Sequence, residues 1–166
     1  MTGRADHFAY RHTVAFVETG PGGAADYVHY LHWQGRCWQL FLRQAALDEL
    51  DGINGPVGPD GIGGSPADLR LFTLQVDCEL FEAVSAQDRL SVRMRVAELG
   101  HTQVDLTFDY VRETGDGEVP VARGSQRVVC LRGPDDAPVP ALIPEALAQA
   151  LAPYAAGIRP PAGRQT

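Results

Sequence analysis

The sequence is short of positive charge, short of cysteine and without long apolar runs. Its 14 basic residues stand against 21 Asp and Glu, for a formal net charge of −7. That balance excludes nonspecific binding to nucleic acid or to an anionic membrane surface, and leaves room for a local basic patch facing an acidic partner. The three cysteines, Cys37, Cys78 and Cys130, lie far apart with no CxxC pair. They read as buried reduced thiols rather than a disulfide framework or a metal site. The opening MTGRADHFAY has no apolar run of signal-peptide length, and no later stretch has the length and apolarity to span a bilayer. The expectation is a cytoplasmic protein.

What is present centres on one stretch, Tyr27 to Ala46, YVHYLHWQGRCWQLFLRQAA. It has no proline and one glycine, Gly35. Leu31, Cys37, Trp38, Phe41, Leu42 and Ala45 recur at helical spacing, with Gln34, Gln39, Arg43 and Gln44 along the other side. This predicts one mostly buried helix of roughly 20 residues, running to about Leu47. Asp26 stands at the N-cap position. Upstream, AYRHTVAFVE alternates and is rich in β-formers, which predicts a strand over 9–17. TGPGGAA (19–25) is a loop, because its glycines and proline do not continue a strand. Downstream, 51–68 is crowded with glycine and proline and has no periodicity. A loop this long reads as a lid over a substrate channel or as a passive excursion.

The rest of the chain alternates. Strands are predicted over 69–83, 89–99, 102–113 and 119–132. Leu90, Val92, Met94 and Val96 share one face of the second, and Val104, Leu106, Phe108 and Tyr110 one face of the third. Gly115 and Gly117 mark a hairpin turn. The last strand is expected to bend at Gly124. Short turns between consecutive strands imply an antiparallel meander. Pro134 to Pro140 is a linker, Pro144 opens a short C-terminal helix, and the tail from 157 is flexible. With 166 residues and 45% hydrophobic content, one domain over 1–156 is expected.

Strand, loop, helix, then four antiparallel strands is the order of the α+β hotdog fold, a long central helix wrapped by an antiparallel sheet of about five strands. The segments YRHTVAFVET, YVHYLHWQGRC, VDCELFEAVSAQDRLSVRMRVAEL, TQVDLTFDYVRE and VARGSQRVVCLR resemble the hotdog thioesterases of enediyne polyketide biosynthesis. These are a branch of the 4-hydroxybenzoyl-CoA thioesterase-like superfamily. The resemblance covers residues 9 to 156. It implies an enzyme that releases a linear polyene β-keto chain from the acyl carrier domain of a polyketide synthase. It also implies a homotetramer with active sites between subunits, and no metal or organic cofactor.

The resemblance also locates departures. The wider superfamily has an Asp in the loop after the first strand and the enediyne branch an Asn; the matching residue here is Gly20. A later Gly-Asn is Gly23-Ala24, and an Arg expected on the helix is Trp38, with Arg36 two positions away. Tyr30 matches a family tyrosine that could donate to the substrate carbonyl, or it is a core tyrosine. Thioester hydrolysis needs a group to orient or deprotonate water and donors for the oxyanion. Asp26 is a relocated base or a plain N-cap, and Glu79 a channel carboxylate or a solvated edge residue. Backbone N–H groups at Tyr27 to His29 offer oxyanion donors. Trp33 and Trp38 line an apolar tunnel or pack the core. His29 and His32 share a helix side without further metal partners, and so read as surface or interface residues. Arg93, Arg95 and Arg89 meet a phosphate or acidic carrier, or form a solvated face. Beside hydrolysis, two alternatives stay open: a repurposed polyketide step (dehydration, cyclisation or decarboxylation), and a non-catalytic polyketide-binding protein.

Overall fold

A computed structural model describes residues 6–45 and 69–155; the expected 51–68 loop and 157–166 tail lie outside the described residues. Six strands and two α-helices follow in order: β1 (Phe8–Thr13), α1 (Tyr27–Ala45), β2 (Arg70–Leu80), β3 (Arg89–Leu99), β4 (Gln103–Thr114), β5 (Gly117–Arg132), β6 (Val139–Pro140) and α2 (Glu145–Leu151). The principal strands lie in the order β1-β3-β4-β5-β2, all antiparallel, with β6 pairing the end of β5. Only β3-β4-β5 is therefore a meander. β2 lies at the far edge and pairs with β5, and the eight residues 81–88 carry the chain from it back to β3. The expected linker over 134–140 contains β6.

The inward rows follow the alternation. Leu90, Val92, Met94 and Val96 are buried, as are Val104, Leu106, Phe108 and Tyr110. They meet the buried face of α1, formed by Tyr30, Trp33, Gln34, Cys37, Trp38, Phe41 and Leu42. Burial of each large apolar side chain in that face stabilises by about 1.5–3 kcal/mol. One difference concerns polarity: Gln34, expected on the exposed side, is fully buried. Its Nε2 donates to the Ser125 carbonyl (2.9 Å), and its Oε1 accepts from the Tyr110 hydroxyl (2.9 Å). The same hydroxyl also lies 2.7 Å from the Tyr30 carbonyl. A polar residue in a helix core is tolerated only with its hydrogen bonds made, and the sheet supplies them.

Gly124 explains itself through the same contact. β5 runs unbroken through it, and Gln34 packs where its Cβ would be. The residue answers a close approach. β1 ends early, at Thr13: the Val14 N–H donates to the Asp88 carbonyl (2.9 Å), and the chain turns into a single 3₁₀ turn, Phe16–Glu18. α2 starts one residue later than expected. Pro144 is its N-cap, and Pro153 falls in the 3₁₀ turn Ala152–Tyr154 that follows it.

Candidate active site

The lead into α1 is built by backbone bonds. The Gly20 N–H donates to the Ala24 carbonyl (2.9 Å), and the Gly23 N–H to the Gly20 carbonyl (2.9 Å), with Gly23 at φ 81°. The Ala25 N–H donates to the Val84 carbonyl (2.9 Å), which ties the lead to the 81–88 connection. Arg112 clamps that connection from β4, through the Ala83 carbonyl (3.2 Å) and the Glu82 carboxylate (2.9 Å). Gly20 is exposed, and an added Cβ would meet nothing nearer than the Ala24 carbonyl oxygen at 3.8 Å. A side chain would fit there; this sequence has none.

Of the three amides expected to be open, two are occupied. The Tyr27 N–H donates to Asp26 Oδ1 (2.8 Å), and the His29 N–H to the Asp26 carbonyl (3.0 Å). The Val28 N–H has no partner among the described residues. Tyr30, one turn further, is fully buried. Its hydroxyl lies against the Val84 backbone without making a hydrogen bond among the described residues. Burial pushes this phenol above its ordinary value. A buried hydroxyl with no partner costs about 1–3 kcal/mol relative to a bonded one.

The side chain that organises this corner is one that sequence reasoning missed, Glu18. Its Oε1 accepts from the Trp33 indole (2.9 Å), and its Oε2 from the Ala15 N–H (2.8 Å) and from His12 Nε2 (2.8 Å). A carboxylate only accepts, so Nε2 carries a proton; Nδ1 lies at hydrogen-bond distance from the Tyr10 hydroxyl (3.1 Å). Burial pushes the Glu18 carboxyl up, but the three donors outweigh it and hold it below the usual glutamate value. The only signal in the sequence was a lone Glu before the glycine loop.

The remaining residues of interest are dispersed. The Trp33 ring packs on Tyr30 at 5.0 Å and His12 at 5.1 Å, while Trp38 stacks on Phe41 further down α1 (5.6 Å, 18°). Arg36 is exposed and carries no ion pair among the described residues. Glu79 is exposed on β2, opposite Arg123, on the sheet face away from α1. Arg93 pairs with Glu118 (2.5 Å) and Arg95 with Asp109 (2.7 Å), so both are already neutralised. His29 and His32 sit 6.0 Å apart, and no group of three or more potential metal ligands converges among the described residues. Burial raises the Cys37 thiol to about 12 and the Cys78 thiol to about 11; neither is a thiolate nucleophile at neutral pH. Around the start of α1 lies an apolar collar of exposed Phe16, Val17, Tyr27 and Val28.

A sheet curled round one helix, with strand order β1-β3-β4-β5-β2 and the glycine loop leading into that helix, defines the hotdog class. No family model matches the sequence, and no curated protein matches it either. Among solved structures, a crystal structure of the dynemicin thioesterase, described with polyene bound, is 32% identical; the match covers 92% of this chain and 99% of that one, with a TM-score of 0.76. The chain belongs to the hotdog-fold thioesterase family that this enzyme represents. The same fold recurs in 4-hydroxybenzoyl-CoA thioesterase complexed with 4-hydroxybenzoyl-CoA (15% identity, 89% and 99% coverage, TM-score 0.71). It recurs again in the 1,4-dihydroxy-2-naphthoyl-CoA thioesterase Slr0204 from Synechocystis (18% identity, 88% and 96% coverage, TM-score 0.68).

Proposed function

We propose that this chain is an acyl-thioester hydrolase acting on a carrier-bound polyene or β-keto polyketide chain of the enediyne type. The observation that carries the reading is the buried, unpartnered hydroxyl of Tyr30 beneath the first turn of α1, in a chain 32% identical to a thioesterase described with polyene. A hydroxyl without a partner at a helix N-terminus suits a donor awaiting a carbonyl. In this reading the Tyr30 hydroxyl and the open Val28 N–H share the developing oxyanion. Asp26 orients or deprotonates the attacking water. Water adds to the carbonyl carbon, the C–S bond breaks, and the thiolate leaves with the proton taken from water, giving acid and free thiol. Tyr27 and Trp33 form the acyl wall, Gly20 and Gly23 leave room beside it, and Glu79 takes no part because it faces away from α1. Trp38 packs the wall from behind, and Arg36 stays on the outer side of the helix.

The enzyme works as a homo-oligomer. β2 is an edge strand with exposed Phe72, Leu74, Val76 and Leu80, an apolar edge that a second copy would cover. A tetramer would follow from pairing two such dimers. The test of the activity is thiol release from an N-acetylcysteamine β-keto-acyl thioester, wild type beside Tyr30→Phe and Asp26→Ala. Turnover that falls in either variant supports the assignment. Absence of turnover together with tight binding of a free polyene defeats it and leaves a binding protein.

A further inference from the structure

The outer side of α1 is a basic line. His29, His32, Arg36, Gln39 and Arg43 follow one another at spacings of three and four residues and so share one side of the helix; His29 is half-buried and the others exposed. The line is about 21 Å long at the helical rise of 1.5 Å per residue. α1 contains no Asp or Glu. On the sheet, carboxylates answer most of the arginines: Glu118 answers Arg93, Asp109 answers Arg95 and Arg123, Glu82 answers Arg112, and Asp105 answers Arg127. Arg36 and Arg43 carry no ion pair among the described residues. Among the described residues Arg89, at the start of β3, and Arg132, at the end of β5, also lack an ion pair, but they stand singly at strand ends; in a chain of net charge −7, α1 is the element that carries two unanswered arginines on one face, and that face begins in the turn where Val28 and Tyr30 stand.

We propose that this face docks the acidic surface of the carrier domain that delivers the acyl thioester, an inference that rests on the hydrolase reading above. A second copy of the chain is the wrong occupant. Two such faces brought together would set arginine against arginine with no carboxylate on either helix, and β2 already offers a copy an apolar edge. An acidic carrier helix laid along the line instead gains complementary charge over its whole length and brings its prosthetic arm to the N-terminal end of α1.

The test uses the full chain and a phosphopantetheinylated acyl carrier domain of an iterative polyketide synthase, with binding read by fluorescence anisotropy. The double charge reversal Arg36→Glu/Arg43→Glu weakens binding at low salt by about tenfold or more, and wild-type binding weakens similarly between about 20 mM and about 300 mM salt. Turnover of the N-acetylcysteamine thioester is unchanged, because that substrate needs no docking face. Gln39→Glu, which adds one charge at an exposed position and removes none, weakens binding by about threefold and serves if the double variant fails to fold. Carrier binding that is insensitive to salt, or equal in wild type and Gln39→Glu, overturns the proposal. A wild type that binds the carrier through this face but hydrolyses neither thioester refutes the hydrolase reading and leaves the docking face standing.

Discussion

Replacing Gly124 with alanine tests how the helix and sheet are locked together. A methyl group at that position overlaps Gln34 Oε1 outright and comes within 3.0 Å of Gln34 Cδ and of the Asp77 carbonyl. The Asp77 contact is backbone of the neighbouring strand and cannot swing away, so Gln34 must move. Gln34 is fully buried, and moving it breaks its bonds to the Ser125 carbonyl and the Tyr110 hydroxyl. Tyr110 keeps its bond to the Tyr30 carbonyl, so the groups left short are the Gln34 amide and the Ser125 carbonyl. Stranding buried polar groups costs about 1–3 kcal/mol each, and overpacking adds about 1–3 kcal/mol, for an expected loss of about 3–9 kcal/mol. For a chain of this length that lowers the melting temperature by about 10 °C or more. Thermal unfolding followed by circular dichroism reads it directly. Two companions sharpen the result. Gly35→Ala, on the same helix with nothing within 4 Å of the added Cβ, is expected to stabilise by about 0.5–1 kcal/mol. Gln34→Ala combined with Gly124→Ala is expected to lose at least about 1 kcal/mol less than the two single changes summed, because the clash is gone. A Gly124→Ala protein melting within about 2 °C of wild type, or purely additive single changes, would refute the close-approach reading.

Other outcomes follow from the same geometry. Tyr30→Phe removes a buried hydroxyl that has no partner, so it is expected to leave stability unchanged or raise it by up to about 1–3 kcal/mol while lowering thioester turnover by about tenfold or more; a large loss of stability with activity kept would place the hydroxyl in the fold instead. Glu18 titrates below its usual value in the folded chain, so its contribution is present above the unfolded carboxyl's value and is lost as pH falls through the folded one. Wild type is therefore expected to lose stability below about pH 4 more steeply than Glu18→Gln, which lacks that titration, as acid unfolding curves would record. Leu74→Glu on the apolar edge of β2 is expected to shift the protein to a smaller species in sedimentation; an unchanged mass would move the subunit contact elsewhere. Gly20→Asp has room for its side chain and is expected to fold normally and to raise thioester turnover, by up to about a hundredfold if the carboxylate reaches the water.

The sequence by itself determined the inward rows of β3 and β4 and the apolar stripe of α1, because alternation and helical spacing are local and a sheet or helix face is read one residue at a time. It located the glycine loop, the tyrosine of α1 and the family, all of which reside in short contiguous words. The place of β2 was decided only by the tertiary structure: strand pairing across the sheet is nonlocal, and a run of short connections reads as a meander until β5 takes β2 as its second neighbour. The same holds for Gln34 and Gly124, ninety residues apart in sequence and mutually explanatory in space. It holds for Glu18, whose three donors come from β1, the turn after it and α1. Arg93 and Arg95 look available in the sequence and are neutralised by Glu118 and Asp109, whereas Arg36 and Arg43 are left unanswered among the described residues. Charge in a sequence is a count; which charges face a partner is fixed only when the strands have chosen theirs.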